Sequence, residues 1–136
     1  MMFCLTALMA YAAGSINFAI VYFKIMKMGD PRAQYSGNPG ATNVYRQAGP
    51  AAAALVLVCD MGRAAAVAAA ALALLSPAGA AWTGLALLAG NRYPCFHQFK
   101  GGKGVANYLG FCLVVVPWGA VGSAVAWGLG YLIFRI

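Results

Sequence analysis

Two short polar stretches hold the residues of this sequence that could do chemistry. The first is Ser36-Gly37-Asn38-Pro39-Gly40-Ala41-Thr42-Asn43-Val44-Tyr45-Arg46, and the second is Phe99-Lys100-Gly101-Gly102-Lys103-Gly104. Small residues let backbone N–H groups come close to an anion. The hydroxyls of Ser36 and Thr42, the amides of Asn38 and Asn43, and the cations Arg46, Lys100 and Lys103 add charge-assisted hydrogen bonds. That inventory suits phosphate, and it contains no carboxylate pair. The single histidine is His97 and position 102 is glycine, so a His-x-x-x-x-Asp unit is absent. Gly-Lys is not followed in frame by Ser or Thr, which excludes a Walker A loop. Asn-Pro-Gly is also ordinary turn chemistry, and lysines between apolar segments also serve membrane orientation, so each stretch has a plain structural reading beside the chemical one.

The elements that must position these islands are apolar. Of 136 residues, 63% are hydrophobic and 8% charged, with a mean hydropathy of +0.77, against about 25% charged in a soluble domain. An all-α, polytopic membrane protein follows. The net charge of +7 comes from nine Lys and Arg against Asp30 and Asp60. It favours anionic head groups or anionic substrates, and no exposed aromatic-basic surface points to nucleic acid. Cys4, Cys59, Cys95 and Cys112 lack paired spacing, so they are read as packing residues without a metal or redox role.

Five spans are expected, over residues 3–23, 49–75, 81–90, 105–116 and 118–134, in one integral membrane domain covering 1–136. Phe3 to Phe23 is read as a retained span, because the stretch before it lacks Lys and Arg and the apolar run continues past any signal-peptide length. Ser76-Pro77-Ala78-Gly79 reads as a turn. Pro117 divides the last apolar stretch, after which Ala120, Ala124 and Gly128 form a small-residue packing stripe. Asp60 and Arg63 stand three apart on one helical face and can neutralise each other inside the membrane. Lys24, Lys27, Arg32 and Arg46 flank one loop, Arg92, Lys100 and Lys103 another, and Arg135 ends the chain. With five crossings all of them share one side, which places both islands in the cytoplasm and the N-terminus outside.

The motifs have a family resemblance. Gly14-Ser15-Ile16, the block from Ser36 to Arg46, Asp60 with Arg63, and Tyr93-Pro94 leading into Phe99-Lys100-Gly101-Gly102-Lys103-Gly104-Val105-Ala106 occur in the order and spacing of bacterial PlsY-type acyl-phosphate:glycerol-3-phosphate acyltransferases. The chain resembles that family over nearly its whole length. It departs from the family pattern at Asn91, where histidine is usual, at Asn107 for threonine, at Arg63-Ala64 for Lys-Gly, and at Asn17 for proline. Family members continue into further helices and a third cytoplasmic motif with His and Asn, so by this resemblance the chain corresponds to a C-terminally truncated member.

The resemblance implies acyl transfer from acyl phosphate to the 1-hydroxyl of glycerol-3-phosphate, giving lysophosphatidate and phosphate at the bacterial inner membrane. No cofactor is implied. Ser36 and Arg46 are the expected catalytic residues. Gly37, Asn38, Gly40, Thr42, Asn43, Lys100, Gly101, Gly102, Lys103 and Gly104 are the expected substrate-binding residues. An acyl phosphate carries a good leaving group, so charge neutralisation, orientation and oxyanion stabilisation suffice, with substrate phosphate as the candidate base. Two alternatives stay open: an inactive member binding anionic lipid or a phosphorylated ligand, and a small transporter of a phosphorylated solute. Acyl-chain preference and any protein partner are not legible.

Overall fold

The computed structural model describes residues 1–134. Six helices make up the fold: α1 (Met2–Gly14), α2 (Phe18–Ile25), α3 (Ala41–Leu74), α4 (Pro77–Arg92), α5 (Val105–Val115) and α6 (Pro117–Phe134). Short 3-10 turns at Pro31–Ala33 and Cys95–His97 lie between them. Arg135, counted above with the basic side, lies outside the described residues.

Local chemistry sets several boundaries that hydrophobicity alone misplaces. The uncharged stretch from Phe3 to Phe23 is two helices bent by 43°. Asn17 is extended there and its Oδ1 accepts the N–H of Ile20 at 3.0 Å, which starts a new helix. The helix that carries the second apolar run begins before that run, because α3 starts at Ala41, inside the first island. Gly49, with φ of +83°, breaks its helical geometry and Pro50 restarts it. Ser76-Pro77-Ala78-Gly79 is a helix start: the Ser76 hydroxyl accepts the N–H of Gly79 at 3.3 Å, and Pro77 occupies the first turn of α4. Pro117 separates α5 from α6.

Glycines let the helices touch. A Cβ on Gly14 would run into the Leu87 carbonyl, and one on Gly90 into the Tyr11 carbonyl, so α1 and α4 cross backbone to backbone. Gly110 of α5 lies likewise against the Met61 backbone of α3. Such crossings replace side-chain bulk with van der Waals contact between main chains, the packing mode favoured in lipid. Around them Ala10, Ala64, Ala68, Leu87 and Phe111 form one core. Ala19, Phe23, Val44, Ala52 and Val56 form a second, beneath the first island. The stripe expected on α6 packs only at Ala120, since Ala124 is exposed and nothing lies near Gly128.

Trp82, Trp118 and Trp127 are exposed together with many aliphatic side chains, a surface suited to lipid. By length and apolarity, among the described residues, Ala41–Leu74 alone is a helix able to cross a membrane, and the bent pair α1–α2 makes a second if it acts as one span.

Candidate active site

The islands, residues 36–46 and 99–104, are far apart in sequence and adjoin in space. Asn17 Nδ2 donates to the Pro39 carbonyl at 3.0 Å, which ties the α1–α2 break to the first island. Arg32 joins the first island to the second. Its Nε and Nη2 grip the Asp30 carboxylate at 2.9 and 2.7 Å, while Nη1 donates to the carbonyls of His97 at 3.0 Å and Lys100 at 2.9 Å. The guanidinium holds the Asp30 carboxyl below its usual range, and burial beside Arg32 pushes the His97 imidazole down as well. Both groups sit outside the apolar helices, and Arg32 fastens the loops through the Asp30 carboxylate and the His97 backbone carbonyl.

The second island is zipped onto the end of α4. The N–H of Gly101 donates to the Arg92 carbonyl at 3.2 Å and that of Gly102 to the Asn91 carbonyl at 3.0 Å. Gly101 is required by contact, since a Cβ there would strike the Asn91 carbonyl. Gln98, Phe99 and Gly104 all have positive φ, so the chain coils tightly before entering α5. Both α3 and α5 begin on a glycine with no side-chain cap, leaving first-turn amides as anion donors at the island edges.

Between the islands lies a cleft of about 500 Å³ lined by Ser36, Gly37, Asn38, Arg92, Gly101 and Lys103. It adjoins a groove of about 600 Å³ lined by Leu88, Ala89, Gly104, Val105 and Tyr108, and the two share Arg92 and Lys103. Five of the expected site residues, Ser36, Gly37, Asn38, Gly101 and Lys103, therefore meet in one place, with Gly104 at its edge.

The others fall elsewhere. Gly40 caps α3, and a Cβ there would meet the Asn38 side-chain amide. Thr42 and Arg46 are exposed on α3 outside the cleft lining, and the Lys100 side chain is exposed there too. Gly102 is buried in the seam between the islands, near Asn91, Pro39 and Asn17. Asn43 lies behind the loop and is not among the residues lining the cleft. It is 1% exposed, and its Nδ2 donates to the carbonyls of Pro31 and Gln34 at 2.8 and 3.3 Å, so it braces the loop from behind and cannot reach the cleft. Arg92 is the residue that motif reading missed. Its signal was present, as the one cation between the end of α4 and the glycine loop.

Beneath the second island runs a buried polar chain. Arg63 Nη2 donates to Asp60 Oδ1 at 3.0 Å and to Asn107 Oδ1 at 2.6 Å, and Asn107 Nδ2 donates to Asn91 Oδ1 at 2.7 Å. The Arg63 guanidinium lies 5.2 Å from the centre of the Phe18 ring. The expected Asp60–Arg63 pair thus exists and reaches, through Asn107, the residue Asn91 whose carbonyl holds Gly102.

The sequence profile described as glycerol-3-phosphate acyltransferase matches residues 4–136. The chain belongs to that family. A glycerol-3-phosphate acyltransferase of Bordetella pertussis is 46% identical over 122 residues, covering 88% of this chain and 57% of the relative. One from a Jannaschia species is 43% identical over 133 residues, covering 97% and 65%. Among solved structures, the glycerol 3-phosphate form of PlsY (YgiH), an integral membrane glycerol 3-phosphate acyltransferase, superposes with a TM-score of 0.87 at 38% identity, covering 96% of this chain and 66% of that one. Its lysophosphatidic acid form gives 0.82 at 36% identity, covering 96% and 65%. The chain therefore shares the helical fold of an integral membrane member of the family and spans about three fifths of its relatives' length.

Proposed function

We propose that the chain carries the phosphate-handling part of an acyltransferase that moves an acyl group from acyl phosphate to glycerol-3-phosphate. The observation that carries this reading is the cleft itself, where a hydroxyl and an amide of the first island meet a lysine of the second and Arg92 at the end of α4, with no carboxylate among the lining residues. The transfer forms a bond between the glycerol hydroxyl oxygen and the acyl carbon and breaks the bond from that carbon to the phosphate oxygen. The hydroxyl proton goes to substrate phosphate, and lysophosphatidate and inorganic phosphate leave.

Lys103 and Arg92 neutralise the leaving phosphate, Ser36 donates to the developing oxyanion or orients the attacking hydroxyl, and the Asn38 amide fixes the head group. Arg46, one turn along α3 from Thr42, serves the second phosphate when both substrates are bound. The two structural neighbours are a glycerol 3-phosphate form and a lysophosphatidic acid form, which correspond to a substrate and a product of this reaction. The protein sits in the bacterial inner membrane with both islands cytoplasmic.

Ser36→Ala, Arg46→Ala and Lys103→Ala test the assignment. Each removes a charge-assisted bond worth about 1.5 to 3 kcal/mol, so turnover or apparent substrate affinity falls roughly ten- to hundredfold with insertion and melting unchanged. Full turnover in all three variants would overturn it.

A further inference from the structure

The cleft and the neighbouring groove differ in character and meet at two side chains. Ser36, Gly37 and Asn38 make one wall polar, while Leu88, Val105 and Tyr108 make the other side apolar, and Arg92 and Lys103 belong to both. Arg92 is held in place there: its own carbonyl anchors Gly101, and its guanidinium lies 5.5 Å from the centre of the Tyr93 ring. Two cations on a common rim repel each other unless an anion lies between them.

The chain has no carboxylate side chain to spare for that purpose. Its two acids are Asp30 and Asp60, and they are engaged by Arg32 at 2.7 Å and Arg63 at 3.0 Å. Arg92 and Lys103 therefore have no carboxylate side chain as partner and are available to an anionic ligand. A small free phosphate needs only the polar side. A phosphate bearing a hydrocarbon chain matches the whole arrangement, with its head between the two cations and its chain along α4 and α5 in the groove, out of water.

We infer that Arg92 is a specificity-determining residue which, with Lys103, grips the head of the chain-bearing phosphate and distinguishes it from chain-free phosphates. This rests on the acyl-transfer reading of the cleft. Arginine suits the role, because its planar fork can bind two phosphate oxygens while its face stays on Tyr93, which a lysine cannot reproduce.

The test is equilibrium binding to the full chain in detergent, with a hydrolysis-resistant long-chain acyl phosphonate and with glycerol-3-phosphate as separate ligands. Arg92→Gln is expected to weaken the phosphonate roughly tenfold or more, the factor for one lost charge-assisted contact, and to change glycerol-3-phosphate less than about threefold. Arg92→Lys is expected to recover part of the loss. Val105→Trp, which fills the groove, is expected to weaken the long-chain phosphonate and spare its methyl analogue. Unchanged phosphonate binding in Arg92→Gln, beside a loss in Lys103→Ala, overturns the role of Arg92 and leaves the acyl-transfer reading standing. Equal weakening of both ligands in Arg92→Gln also overturns it, because the residue would then supply only general charge. A wild-type chain that binds neither phosphate overturns both readings.

Discussion

At the residue scale, the cleft depends on side chains that never line it. Arg63, Asn107 and Asn91 touch one another in a single hydrogen-bonded chain beneath the second island. Asp60 completes the set by neutralising Arg63, and removing it alone leaves a buried cation without its counter-charge. Asp60→Asn is expected to destabilise the protein more than Asp60→Asn combined with Arg63→Gln, by an amount near the roughly 2.5 to 3.5 kcal/mol of an unpaired intramembrane charge. Thermal unfolding in detergent measures the difference, and equal melting of the single and double variants would argue that the pair is not a unit.

The loop clamp adds a pH dependence. Both Asp30 and His97 have lowered pKa values, so the unfolded chain binds more protons than the folded one and stability rises with pH in both windows. The contribution of His97 is complete above its unfolded value of about 6.5 and is lost as pH falls through the folded value; that of Asp30 follows the same course below about 3.9. His97→Gln is expected to flatten the slope below pH ~6.5 in melting curves without moving the neutral-pH plateau.

At the element scale, the sequence made the punctuation of the last apolar stretch by Pro117 legible, because a missing N–H is a local property. It also exposed both islands, whose composition contrasts with everything around them. The break at Ser15 to Asn17 was hidden, since every residue there is uncharged and hydropathy reports only transfer from water. Its cause is an asparagine cap. The entry of α3 into the first island was hidden for the converse reason, as polar residues from Ala41 to Gln47 mask a helix whose buried side is Asn43 and Val44. Asn43 looked like a ligand because residue type alone cannot tell an amide facing a substrate from one bracing a carbonyl. Arg92 looked like topology because a lone cation at a helix end serves both purposes.

The α1–α4 crossing positions the second island through Gly90, next to Asn91 and Arg92. Gly90→Leu is expected to force the helices apart, since its first side-chain atom already meets the Tyr11 carbonyl. The cost should exceed the roughly 1 to 3 kcal/mol of ordinary overpacking and should abolish phosphate binding together with folding. Gly122→Ala is the control, with nothing near its Cβ, and is expected to melt within about 0.5 kcal/mol of wild type.

At the scale of the whole molecule, the two islands meet at one cleft, and the exposed surface of the helices carries many large apolar side chains. A phosphorylated substrate made in the cytoplasm would meet that cleft, while a lipid-soluble chain would approach along the helices. Single cysteines at Ser36 and at Gly37, in a background without native cysteines, are expected to react with a membrane-impermeant thiol reagent in inverted vesicles and not in intact cells. Labelling in intact cells would reverse the orientation.

The most direct measurement of the central claim is turnover by the purified chain in lipid, with long-chain acyl phosphate and radiolabelled glycerol-3-phosphate. The account predicts labelled lysophosphatidate and free phosphate in equal amounts, with both lost in Lys103→Ala. Acyl phosphate consumed without labelled lipid, or labelled lipid formed equally well by Lys103→Ala, would contradict a cleft that joins the two islands into one site of acyl transfer.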